Sequence, residues 1–216
     1  DWVLLFDGDL SEVTVDFRGN YYDKTINKHS NKTNNYGLTG CITFQNVKFD
    51  NSTILAKNGY CEDSINIINS LGDINLISVS ESFSDAIDFD FAKIKTNKII
   101  VKNANNDCVD FSFGFYNINE MKLSGCGDKG VSVGENSKFF SKNVNISNTK
   151  NGVSSKDSST VKIEKLIINN AKQCLAAYNK KQEFDGAIIE INKMKCNSLQ
   201  EKFKDNQSRI TIKSIL

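Results

Sequence analysis

Short apolar runs of four to six residues, rich in β-branched and aromatic side chains, alternate along the chain with clusters of Asn, Ser, Gly and Asp. Within a run the apolar residues fall at every second position, the period of a strand with one buried face, and no stretch sustains the 3.6-residue period of an amphipathic helix. The runs also recur as units. Six segments, beginning at Asp63, Asp85, Asp107, Lys129, Asn151 and Gln173, stack with a constant step of 22 residues. Their third position is always aliphatic (Ile65, Ile87, Val109, Val131, Val153, Leu175), and the fifth is mostly apolar (Ile67, Phe89, Phe111, Val133). These columns are predicted to face inward. The fourth column, Asn66, Asp88, Asp110, Ser132, Ser154 and Ala176, then faces out.

A second apolar strand recurs once per unit, at Ile77 and Val79, Ile99 and Val101, Met121 and Leu123, Val144 and Ile146, and Leu166 and Ile168, with one residue inserted between the third and fourth. A 22-residue unit of strands without a helix excludes helical solenoids and is too short for a propeller blade. Leucine-rich repeats are of similar length, but their Leu and Asn ladder is missing. The predicted fold is therefore all-β, a right-handed parallel β-helix forming one domain over 1–216. Residues 1–40, with the polar stretch Asp23 to Asn35, read as a cap and excursion loop, 41–196 as coils, and 197–216 as a C-terminal coil or cap.

Composition sharpens this reading. Proline is absent and Asn occurs 28 times, which suits turns and disfavours helices. Lys and Arg number 27 against 26 Asp and Glu, so a net charge of +1 implies no bulk attraction to nucleic acid or an anionic membrane. No run reaches the roughly 18 apolar residues of a membrane-spanning helix, and Asp1 to Phe6 lack the basic n-region of a signal peptide. A single histidine, His29, and no C-x-x-C argue against structural zinc. The six cysteines fall in consecutive pairs, Cys41 with Cys61, Cys108 with Cys126 and Cys174 with Cys196, each separated by about one coil. That spacing suits disulfides, with Cys108–Cys126 the foremost, although fifteen pairings are open. Disulfides in turn point to a secreted, periplasmic or cell-surface protein.

Candidate chemistry gathers on the first strand. Asp85 stacks on Asp107 and Asp88 on Asp110, placing four carboxylates within two coils, with Lys129 and Lys156 on the following rungs. Like charges so close must be relieved by a raised pKa, by a divalent cation such as calcium at Asp88 and Asp110, or by those lysines. The second column is small (Ser64, Ala86, Cys108, Gly130, Gly152, Cys174), which suggests a shallow groove closed at its far end by Tyr178, Lys180 and Lys181.

The series Ser84-Asp85-Ala86-Ile87-Asp88, Asn106-Asp107-Cys108-Val109, Gly127-Asp128-Lys129-Gly130-Val131 and Asn151-Gly152-Val153-Ser154-Ser155-Lys156 resembles the four consecutive motifs of the polygalacturonases, pectin-lyase-like β-helix enzymes that hydrolyse pectin with inversion. The likeness spans about 75 of the 216 residues. It implies Asp85 and Asp107 as the carboxylates that position water and Lys156 as the binder of a substrate carboxylate. Asn106 stands where those enzymes have their general-acid Asp, Lys129 replaces their His and Ser154 their Arg, so their hydrolytic mechanism does not transfer intact. The segments 127–135, 154–158 and 180–184 are also similar to bacterial β-helix repeat proteins, a likeness that implies no particular activity.

The expected function is binding of an acidic polysaccharide along one face, with processing of a hydrolase, lyase or epimerase kind. Asp85, Asp107, Asp110 and Lys129 would be the catalytic candidates, and Asp88, Lys156, Tyr178, Lys180 and Lys181 the substrate-binding ones. The competing class is a non-catalytic spacer or adhesion element of a cell surface or viral tail.

Overall fold

The computed structural model describes residues 2–20 and 33–216, and the expected excursion loop lies largely outside the described residues. Among them the elements are all strands: β1 (Val3–Ser11), β2 (Thr14–Arg18), β3 (Gly40–Lys57), β4 (Asp63–Ile68), β5 (Leu71–Ser82), β6 (Asp85–Asp90) and β7 (Lys93–Ala104). They continue with β8 (Val109–Ser112), β9 (Phe115–Gly134), β10 (Lys138–Lys156), β11 (Thr160–Tyr178), β12 (Ile188–Lys204) and β13 (Arg209–Ile215). Every pairing is parallel, and the chain forms a β-solenoid of about 8 turns with about 22 residues per coil.

The register is that of the repeat. Ile65 pairs with Ile87, Ile87 with Val109, Val109 with Val131, Val131 with Val153 and Val153 with Leu175. β4, β6 and β8 lie on a first face, β5 and β7 on a second, and the long strands β9, β10 and β11 run through the corner into both. The inserted residue sits at the corner Glu135-Asn136-Ser137, where Phe115 pairs with Lys138, and the register returns to 22 between Thr149 and Asn151. At the N-terminus β1 and β2 stack on β3 with an offset of 39, Val3 on Ile42 and Thr14 on Thr53. At the C-terminus β13 adds a further parallel rung, Ile188 pairing with Arg209.

Corners explain the asparagines. Seven successive coils leave the first face through a residue with positive φ: Asp7, Asn46, Asn69, Phe91, Phe113, Glu135 and Asp157. It leaves the second face through another such series, Asn58, Glu81, Asn103, Gly125, Asn148 and Asn170. Asn tolerates this left-handed conformation better than other non-glycine residues. It also bonds to its own kind, as Asn69 Nδ2 donates to Asn46 Oδ1 at 2.7 Å and Asn170 Nδ2 to Asn148 Oδ1 at 2.7 Å.

Inside, the two predicted inward columns are fully buried and the aromatics stack. Phe89 and Phe111 lie 5.0 Å apart and within 10° of parallel, and Phe139 adds a tilted ring 5.0 Å from Phe111. Each such side chain contributes about 1.5–3 kcal/mol on burial. The cysteines pair as the spacing predicts. Cys41 is bonded to Cys61 with a Cα–Cα distance of 5.4 Å, Cys108 to Cys126 at 5.3 Å and Cys174 to Cys196 at 6.4 Å. Of the fifteen pairings open to the sequence, the stacked coils thus select the one that joins each cysteine to its neighbour in the chain, and three disulfides point to an oxidising environment. No helix among the described residues is long and apolar enough to cross a membrane.

Two outcomes test this account. Val109 is fully buried between Ile87 and Val131, so Val109→Asp should remove about 4 kcal/mol or more, and an unchanged melting temperature would show the parity to be wrong. Alkylation without reductant followed by intact-mass measurement should label no cysteine, and replacing Cys108 and Cys126 together by Ala should cost roughly 3 kcal/mol in thermal or urea unfolding.

Candidate functional site: a buried carboxyl face

The outward column of the first face runs Thr43, Asn66, Asp88, Asp110, Ser132 and Ser154 in successive coils. Thr43, Asn66, Ser132 and Ser154 are buried although their parity points them away from the core. The small second column does not open a groove as the sequence suggested. Ala86, Cys108 and Cys174 are wholly buried, and a Cβ added at Gly130 or Gly152 would strike Ile146 or Ile168. Alternation breaks where each strand leaves its corner, so this column is small because it is pressed inward. The disulfide partners of its two cysteines, Cys126 and Cys196, come from the strands of the second face.

Asp85, Asp88, Asp107 and Asp110 do come together, and two further acids join them. Asp63 is the rung before Asp85, and Asp90 ends the strand that carries Asp88. Asn66 Nδ2 donates to Asp88 Oδ2 and Asp90 Oδ2, both at 3.2 Å. Asp63 was legible as one 22-residue step before Asp85. Asp90 lies outside the motif match, and only the strand parity signals it.

The corner acids are tied to backbone. Asp85 Oδ1 accepts from Asp107 N at 2.7 Å and from Asn106 Nδ2 at 2.7 Å. Asp107 Oδ1 in turn accepts from Lys129 N at 2.9 Å, and Lys129 Nζ lies 3.3 Å from Asp107 Oδ2 while also pairing with Asp128. Lys156 is 5% exposed. Its side chain passes over Gly134 and its ammonium stops 3.9 Å from Asp110 Oδ2, so it is held against the acid column rather than standing free. Tyr178 follows Lys156 on the next rung. Lys181 pairs with Glu135 at 2.8 Å, and Ser112 Oγ donates to the other Glu135 oxygen at 2.8 Å. Lys180 has an exposed side chain, and its backbone N–H joins that of Lys181 in donating to Asp157 Oδ1.

Burial dominates the electrostatics. It pushes the Asp85 carboxyl up to about 8, with Asp107 adding repulsion, and that of Asp63 up to about 7. Burial lifts Asp107 to about 6 against the pull of Lys129. Asp88 and Asp90 are raised by burial, Asp88 also by the charges of Asp63, Asp90 and Asp110. Burial works against the Lys129 ammonium, yet Asp107 and Asp128 together hold it above the ordinary lysine range. Around neutral pH this face therefore carries carboxylic acids beside carboxylates. Among the described residues no group of three or more His, Cys, Asp or Glu side chains is placed to hold a metal ion.

Fold and site together define a disulfide-containing parallel β-solenoid with a cluster of acids on its first face. No family model, no curated protein and no solved structure matches the chain.

The raised values fix the sign of a pH dependence. A carboxyl with a folded pKa above its unfolded value of about 3.9 stabilises the fold most below that value and loses the contribution as pH rises through the folded pKa. The melting temperature should therefore fall from about pH 4 to pH 8, most steeply below pH 6, where the unfolded chain has lost the protons that Asp107, Asp63 and Asp85 all still hold. Asp85→Asn keeps an acceptor for Asp107 N and removes the charge. At pH 8 it should raise stability by on the order of 1 kcal/mol, roughly 2–4 °C, while at pH 4 it should change little.

Proposed function

We propose that this chain is an exported β-solenoid of the pectin-lyase-like type that binds an acidic polysaccharide along its first face. The observation that carries the reading is the gathering of six carboxyl groups on that face, Asp63, Asp85, Asp88, Asp90, Asp107 and Asp110, with Asp63 and Asp85 pushed by burial up to about 7 and about 8. Carboxylic acids beside carboxylates supply donors as well as acceptors to sugar hydroxyls. Asp85 is partly exposed with its carboxyl pushed up to about 8, so it is the group suited to give a proton to a bound sugar.

Acidic polymers follow from the titration. Uronates stay ionised at pH 5 while this face loses its negative charge, so affinity for polygalacturonate should rise several-fold from pH 8 to pH 5.5. Asp85→Asn/Asp107→Asn should flatten that dependence. Affinity electrophoresis in polygalacturonate gels, with dextran as the uncharged control and released reducing sugar and unsaturated product measured alongside, reads both binding and turnover. Retention that does not change with pH or with these substitutions would falsify the assignment of this face.

A second reading has its own support. Asp85 and Asp107 each cap a backbone N–H of the following coil, a role a rigid spacer needs without any ligand. That reading predicts no retention by any acidic glycan at any pH.

A further inference from the structure

Phe91 and Phe113 occupy the left-handed corner position with φ of 52° and 51°, where the two preceding coils place Asn46 and Asn69. A bulky aromatic residue is a rare occupant of that conformation. Both rings are exposed, at 57% and 42%, and they stack on each other 4.7 Å apart and 5° from parallel. Around the corner, two residues on, Phe115 is 55% exposed at the rim of a groove of about 770 Å³ on the second face. Lys93, Lys95, Lys138 and Lys162 line that groove, and Lys138 Nζ rests 5.2 Å from the Phe115 ring centre. Asp73 is the one carboxylate among the residues lining it.

We infer that this aromatic corner and the lysine groove beside it form a second polysaccharide-binding surface, taking a polyanionic glycan whose sugar rings lie against Phe91, Phe113 and Phe115 and whose acid groups meet Lys93, Lys95 and Lys138. The inference rests on the proposed ligand class and adds a site on another face. Three observations carry it. Strained backbone retained at an exposed position is characteristic of functional sites, and here an unstrained alternative, Asn, stands in the same column. A contiguous exposed aromatic patch marks an interaction surface. Its basic rim, on a chain of net charge +1 whose first face is acidic, is complementary to a polyanion. The two corner rings already stack on one another, which leaves no slot between them for a nucleobase. The disulfides likewise favour an extracellular polymer.

The test compares three variants of the whole chain: Phe91→Asn/Phe113→Asn, Lys93→Gln/Lys138→Gln, and the first-face pair Asp88→Asn/Asp110→Asn. Retention is measured in gels containing polygalacturonate or dextran, with fluorescent oligo(dT) and analytical ultracentrifugation in parallel. The Phe variant should melt at or above the wild-type temperature, since Asn suits the backbone, and should bind polygalacturonate at least tenfold more weakly at both pH 5.5 and pH 8. The Lys variant should lose affinity in the same way, and the wild-type affinity should fall with salt. Loss in the Phe and Lys variants with unchanged binding in the Asp variant supports this surface and removes the acid cluster as a site. Loss in the Asp variant alone overturns the corner and leaves the first-face reading intact. Absence of retention in wild type at every pH overturns both. Oligo(dT) binding as tight as that of polygalacturonate, or a dimer that Phe91→Asn/Phe113→Asn dissolves, would overturn the ligand assigned here.

Discussion

In a parallel coil stack each side chain lies about 4.8 Å from its counterpart in the next coil, so a residue type that recurs with the period is paired with itself. This constraint sorts the composition. Aliphatic and aromatic columns gain from it, as Phe89 on Phe111 shows. An amide carries both a donor and an acceptor, and Asn75, Asn97 and Asn119 bond in series at 3.3 and 3.1 Å. An ionised carboxylate only accepts, so a column of Asp has no such solution. It must take up protons, borrow backbone N–H groups or find lysines, and the first face uses all three, in Asp63, whose carboxyl is pushed up to about 7, in Asp85, and in Asp107 with Lys129.

The same periodicity governs what could be read in advance. The inward columns, the outward acids and the cysteine pairs were legible because each is a statement about residues about one step apart, and the register preserves the step from Asp63 to Tyr178. Even so, spacing alone left fifteen pairings open, and the stacked coils close that choice by bringing each cysteine against its neighbour in the chain. Corner geometry was not legible. Alternation holds only while the backbone stays extended, so Ala86 and Cys108, one position before the strand settles into its pleat, turn inward. The offset of 39 between β1 and β3 hides the first rung from a search for 22. Lys156 was placed on the right rung, but its burial depends on the bare backbone of Gly134 one coil away, over which its stem folds. The pairing of Asp107 with Lys129 was anticipated as one way of relieving the acids, whereas the entry of Asp63 and Asp90 into the cluster was not.

A net charge near zero also concealed a separation of charge between faces. The first face gathers Asp63, Asp85, Asp88, Asp90, Asp107 and Asp110, while the groove on the second gathers four lysines against Asp73. Bulk charge excludes only bulk attraction, and steering operates over about a Debye length, close to 8 Å at physiological salt. Protonation of Asp63, Asp85 and Asp107 removes part of the repulsion that the first face offers to an anion, so acidification makes that face more favourable to a polyanion.

Magnitudes decide whether the corner phenylalanines serve the fold. Holding a non-glycine residue in the left-handed region costs of order 1–2 kcal/mol, and two such positions are adjacent here. A stacked aromatic pair returns about 0.5–1.5 kcal/mol, the tilted contact of Phe113 with Phe184 at 6.1 Å adds no more than that, and rings that remain 57% and 42% exposed forgo much of the burial energy that aromatic residues normally contribute. The sum does not favour Phe over Asn for stability. Asn46 and Asn69 meet the same backbone demand with a hydrogen bond of 2.7 Å between them. A residue pair that loses to its neighbours' solution on local energetics, and that exposes flat apolar rings beside a lysine-lined groove, is explained by what it contacts outside the chain rather than by what it does within the coil.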